Sequence, residues 1–245
     1  MIDSHCHLND EAYAGDFEET IARAKADGIT AIVNTGANYE YNKKVLEQQK
    51  LHPDILRAVI GLSPHDAEKD DVARNLKLIS DNAGKLVAIG EIGLEYHHFG
   101  EKAHREKQKQ NFEAQLQLAE KLSLPVVIHC REAHADLFKI LDGYKRQKVM
   151  MHCFFAPDHA EEALKRGYML SVPTYMGKAR DKVINFAPLT TLLCETDSPY
   201  FGGNKRNEPA NVKEGYARIA KVKEISLEEA IRQVDENARK FFNLD

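Results

Sequence analysis

Short apolar runs alternate with longer amphipathic stretches along the whole chain. The runs lie near 2–8, 29–36, 55–62, 86–94, 125–130, 148–153, 168–173 and 192–198. Each is short and rich in aliphatic residues, which predicts eight buried strands. Between them the apolar positions change to helical spacing. In 101–122, Phe112, Leu116, Ala119 and Leu122 recur among Lys, Glu and Gln, as in an amphipathic helix. Segment 157–166 begins Pro157-Asp158 and is followed by Gly167, the start and stop chemistry of a helix. Near the C-terminus, Ser226 and Glu229 have capping-box spacing ahead of Leu227, Ala230, Ile231, Val234, Ala238 and Phe241 on one face.

Eight strands, each followed by a helix, predict an α/β fold with a parallel sheet, either an open doubly wound sheet or a (β/α)8 barrel. No Ser/Gly/Pro-rich tract, charge block or sequence repeat interrupts the alternation, so a single domain over 1–245 is expected. At 245 residues and 43% hydrophobic content the chain can bury a sizeable core. The net charge of −4 gives no global attraction to nucleic acid, so any polyanion affinity must be local. No apolar run is long enough to span a membrane. An H-x-H motif four residues from Met1 leaves no room for a cleaved leader, and a cytoplasmic location is the expectation.

Six potential metal ligands end the strand-like runs: His5, His7, Glu91, His129, His152 and Asp197. Alternation along a strand turns His5 and His7 to one face and Cys6 to the other. In an open sheet these ligands would be spread along a row. A closed barrel gathers all strand C-termini around one mouth, so the ligands select the TIM barrel. Imidazole and carboxylate donors suit zinc, manganese or iron, and a carboxylate-rich set with water also suits magnesium. Cys6, Cys130, Cys153 and Cys194 lie one or three positions from ligand candidates. They are expected to pack outward under helices, as structural residues rather than disulfides or thiolate ligands.

Several motifs resemble the TatD family of metal-dependent deoxyribonucleases: D-S-H-C-H-L at 3–8, G-E-I-G-L at 90–94, I-H-C-R at 128–131, H-C-F at 152–154, E-T-D-S-P-Y at 195–200 and N-A-R-K-F-F at 237–242. The resemblance covers essentially the whole chain. It implies a barrel of the amidohydrolase-like group that hydrolyses DNA phosphodiesters with two divalent ions, Mg, Mn or Zn. By motif match His5, His7, Glu91 and Asp197 hold one ion and Glu91, His129 and His152 a second, with Glu91 bridging. Three departures leave every ligand in place. The usual His-Pro pair reads Ser63-Pro64-His65, the usual G-L-D-Y reads Gly93-Leu94-Glu95-Tyr96, and the usual H-C-F-S-G reads H-C-F-F-A at 152–156.

Two ions against two carboxylates and neutral imidazoles would leave a positive pocket that attracts a phosphodiester despite the acidic chain. Asp197 is expected to accept the proton of the attacking water as well as to touch an ion, while Glu195, of the same parity, reads equally as an orienter of a ligand or as a participant and stays outside the ligand set. Arg131, His65 and Tyr96 are the substrate-binding candidates beside the metals. Lys205 and Arg206 offer charge, and Tyr200 or Phe201 a stacking face, in the loop after the eighth strand. The basic run 177–182 is a weaker candidate, as are His97 and His98; His52, His104, His134 and His159 are assigned no role. The expected activity is exonucleolytic cleavage of single-stranded DNA ends, with no obligate protein partner. The rival is an amidohydrolase-like enzyme cleaving an amide, ester or aminoacyl-tRNA linkage at the same metals.

Overall fold

Hydrophobic runs this short cannot bury themselves as helices, and in the computed structural model, which describes residues 1–175 and 177–244, all eight form strands. They are β1 (Ile2–Cys6), β2 (Ala31–Thr35), β3 (Leu56–Ile60), β4 (Leu86–Glu95), β5 (Val126–Arg131), β6 (Val149–Met151), β7 (Met169–Pro173) and β8 (Leu192–Glu195). Every neighbouring pair is parallel and the strands follow chain order. The seam between β8 and β1 is closed just beyond β8, where Asp197 N–H donates to His5 O at 3.0 Å and His7 N–H to Ser198 O at 2.7 Å. The result is the expected (β/α)8 TIM barrel.

The helices between strands are α1 (Phe17–Ala26), α2 (Tyr39–Leu51), α3 (Val72–Asn82), α4 (Lys102–Leu122), α5 (His134–Leu141), α6 (Pro157–Lys165) and α7 (Lys178–Phe186). α8 (Val212–Lys223) and α9 (Leu227–Phe242) close the chain. One apolar layer, including Ile32, Ile60, Ile92, Ile128 and Val172, fills the space between strands and helices. A second, with Val33, Val59, Ala88, Val127 and Leu193, fills the barrel interior, where Phe241 and Phe242 of α9 join it. Ser226 caps α9 by accepting the Glu229 N–H at 3.1 Å. Its predicted apolar face is buried at Ala230, Val234, Ala238 and Phe241, but Leu227 in the first turn stays exposed.

Two bulges interrupt the alternation on which sequence reasoning depends. Asp3 pairs with Ile32 and Cys6 with Asn34, so β1 carries one extra residue, and Ser4 and His5 both face inward. Ile89 pairs with Val126 and Ile92 with Ile128, so β4 carries one extra residue across Gly90 and Glu91. Bulges cluster beside active sites because they re-aim single side chains. Here each one delivers a candidate ligand, His5 or Glu91, to the barrel axis.

Candidate metal centre

Above β1, the imidazole nitrogens of the H-x-H motif converge. His5 Nε2 lies 3.1 Å from His7 Nε2. Asp197 Oδ1 sits 3.5 Å from the first and 3.4 Å from the second, and Glu91 Oε2 3.8 and 3.5 Å from them. Donors held tetrahedrally at about 2.0–2.1 Å from an ion are roughly 3.3–3.4 Å apart, so the spacings suit one ion among these four groups. A second cluster lies on the other side of Glu91. Its Oε1 is 2.8 Å from His129 Nδ1 and 3.3 Å from His152 Nε2, and those nitrogens are 3.3 Å apart. Glu91 thus turns one oxygen to each cluster.

The surroundings fix these donors. His7 Nδ1 is 2.9 Å from Thr35 O, so its proton belongs on Nδ1 and Nε2 is left as the donor to a metal. His129 Nε2 is 3.1 Å from Glu95 Oε2, the carboxylate–histidine arrangement that orients ligand imidazoles. Glu195 accepts the Cys153 N–H at 2.6 Å and approaches His152 Nδ1 at 3.6 Å. Asp197 follows the end of β8 with φ +50, a left-handed conformation that Asp tolerates better than most residues. Asp3, turned outward by the bulge, accepts the Thr196 N–H at 2.9 Å and lies 2.6 Å from Thr196 Oγ1, anchoring the segment that carries Asp197.

Burial and mutual attraction set the charges of these donors. Burial pushes His5 well below its usual value, and the neighbouring His152 and His7 act in the same direction. Burial opposes the charge on Glu91 and His152, yet their mutual attraction wins, holding the carboxyl well below its usual range and the imidazole well above. His129 is raised, against burial, by its bonds to Glu91 and Glu95. Asp197 Oδ1 and His5 Nδ1 are buried without a hydrogen-bond partner. A buried acceptor aimed at two imidazole nitrogens is the arrangement that a divalent ion completes, so the residues present fit one.

A cavity of about 1030 Å³ opens over these groups. Of the expected substrate contacts, Arg131, His65, Tyr200 and Phe201 line it. Arg131 is exposed and makes no ion pair with another described residue, whereas the His65 imidazole packs at 5.1 Å from that of His129 and is lowered by burial. Three expectations are not met. Tyr96 is buried beneath the rim, its hydroxyl donating to Asp136 at 2.8 Å and its ring covered by Arg105. Arg206 is turned away from the mouth, pairing with Asp16 at 2.6 Å and stacking on Tyr13 at 4.4 Å. Lys205 is exposed but lies off the cavity lining. In the run 177–182, buried Arg180 donates to Thr174 O at 3.1 Å, which makes it part of the scaffold.

Cys6 and Cys194 pack in the outer layer as expected and Cys130 packs against it, also reaching the cavity, but Cys153 lines the cavity because the chain leaves β6 at Met151 and turns with φ +48. His134 and His159, assigned no role, also line it, with rings stacked at 4.2 Å. Glu95 was visible in the sequence only as a departure from a pattern. Its equal parity with Glu91 along β4 was the signal that could have assigned it.

Residues 2–243 match the family described as TatD related DNase. Human deoxyribonuclease TATDN3 is 34% identical, with 99% of this chain and 94% of that protein aligned. The 3'-5' ssDNA/RNA exonuclease TatD of Pantoea ananatis is 31% identical, and both chains are covered completely. Among solved structures, the TatD homolog YJJV of Escherichia coli superposes with a TM-score of 0.90 at 28% identity, covering 100% of this chain and 98% of that one.

Proposed function

The chain belongs to the TatD family of metal-dependent DNases, and from that membership we propose that it removes nucleotides from single-stranded DNA ends at a two-ion centre bridged by Glu91. The observation that carries this reading is the opposed orientation of the two Glu91 oxygens, one toward His5, His7 and Asp197, the other toward His129 and His152. The relatives' names, deoxyribonuclease and 3'-5' ssDNA/RNA exonuclease, support the substrate class. The donor set suits Zn, Mn or Mg. A single domain over 1–245, whose last residue lies outside those described, and a cytoplasmic location belong to the same reading. No described helix is long and apolar enough to cross a membrane.

In the mechanism His5, His7, Glu91 and Asp197 would hold one ion, and Glu91, His129 and His152 the other. When bound, the ions supply Lewis-acid polarisation of the phosphate and activation of water. Asp197 accepts the proton of the attacking water through its carboxylate, which the left-handed turn after β8 carries over the mouth. Arg131, exposed at the end of β5, forms a charge-assisted bond to a non-bridging phosphate oxygen. Glu95 and Glu195 hold one ring nitrogen each of His129 and His152, which keeps their other nitrogens turned toward Glu91 as the donors that would meet the ion.

The test is a hydrolysis screen with metal-reconstituted protein on single-stranded DNA, duplex DNA, RNA, aminoacyl-tRNA and simple esters. Preferred cleavage of single-stranded DNA is the expected result. Turnover of an ester or aminoacyl-tRNA linkage with no cleavage of DNA would replace the phosphodiester reading by the amidohydrolase one.

A further inference from the structure

Three large apolar side chains stand exposed together at the cavity mouth: Tyr175 at 49%, Tyr200 at 53% and Phe201 at 39%. Singly exposed apolar residues are ordinary, but a contiguous group marks a contact surface. Tyr175 follows β7 and Phe201 follows β8. Phe155, from the loop after β6, joins them with ring centroids 5.8 Å from Tyr175 and 6.0 Å from Phe201, which are themselves 5.4 Å apart. The group is continuous with the metal centre. Phe155 and Phe201 line the same cavity as Glu91 and Asp197, and the ring of Tyr200 lies 5.9 Å from that of His7. Phe155 occupies the position at which the TatD pattern H-C-F-S-G carries Ser.

We propose that Phe155, Tyr175 and Phe201 form a stacking subsite for a nucleobase flanking the scissile linkage, an inference that rests on the nuclease reading above. The three rings hold one another at fixed tilts, so little side-chain freedom is lost when a base lands on them. They bring apolar faces where Arg131 brings charge, which separates the sites for base and phosphate. Every base has a π face, so such a subsite accepts any sequence, and it favours unpaired ends because a duplex hides its base faces.

The experiment uses the metal-loaded protein and phosphorothioate-protected oligonucleotides carrying 2-aminopurine, whose fluorescence falls on stacking, at successive positions from the end. One position should be quenched on binding. An abasic residue there should weaken binding to the wild type by roughly 5- to 150-fold, the range for one aromatic-stacked base. Phe155→Ser, which restores the residue of the family pattern and so preserves the fold, and Phe201→Ala should shrink that ratio; Phe155→Trp should keep it. Equal binding of base and abasic strands by the wild type would overturn the subsite alone. So would a ratio that survives the Phe155→Ser/Phe201→Ala double variant. Failure to bind either strand would overturn the subsite together with the nuclease reading.

Discussion

Glu95 and His129 form a carboxylate–imidazole pair at the rim of the barrel: Glu95 Oε2 lies 3.1 Å from His129 Nε2, while His129 Nδ1 faces Glu91 at 2.8 Å. Glu95 is completely buried and also accepts the His97 N–H at 2.8 Å, so its position is fixed before any metal arrives. Glu95→Gln should therefore weaken metal binding by roughly 10- to 100-fold with the fold intact. Titration of stripped protein with Zn or Mn checks this. An unchanged affinity would mean that Glu95 only anchors the loop after β4.

Asp197 is assigned both to an ion and to a proton. At saturating metal, Asp197→Asn should lower turnover by roughly 10²- to 10⁴-fold while KM for an oligonucleotide changes little. A rise in KM with turnover preserved would make Asp197 a binding group.

Charge at the mouth was the part of the site least legible in the sequence. Lys205 and Arg206 read as a phosphate-binding pair from their loop. Nothing local reveals that Asp16, far away in sequence, claims the Arg206 guanidinium. Arg206→Ala should lower the thermal midpoint and leave the salt dependence of oligonucleotide binding as in the wild type. Arg131→Ala should instead weaken binding and reduce the log–log salt slope by about 0.7, one released counterion on a single strand. Fluorescence anisotropy across a salt series distinguishes the two.

The pattern of apolar runs was enough for all eight strands, and the candidate ligands at their ends were enough for the barrel, because only closure gathers His5, His129, His152 and Asp197 around one mouth. It overran the strand ends: His7, His152 and Asp197 lie just past the last paired residues of β1, β6 and β8. Strict alternation also failed at the two bulges. It would have turned Asp3 inward with His5, whereas the extra residue in β1 sends Asp3 to the outer face against Thr196. Phe155, Tyr175 and Phe201 were unreadable as a group, since three separate loops bring them together.

Asp3 supplies a pH signature. Burial raises its carboxyl from 3.8 to about 8, so the folded state favours the protonated form. The associated stabilisation is complete below about pH 4, where the unfolded group is also protonated, and is lost as pH rises through 8. Asp3→Asn mimics the neutral acid: its carbonyl can accept the Thr196 N–H and its amide can donate to Thr196 Oγ1. The variant should keep the seam at neutral pH and flatten the fall of thermal midpoint between pH 4 and 8. An unchanged profile would show that Asp3 is ionised in the fold.

The most direct test of the two-ion centre is the rate of oligonucleotide hydrolysis as chelator-stripped protein is titrated with one divalent ion, with bound metal counted at each step. A two-ion centre gives no hydrolysis without metal, full rate only as the second equivalent per chain binds, and near-complete loss in folded Glu91→Ala. Full rate in stripped protein, or at one equivalent, would contradict it.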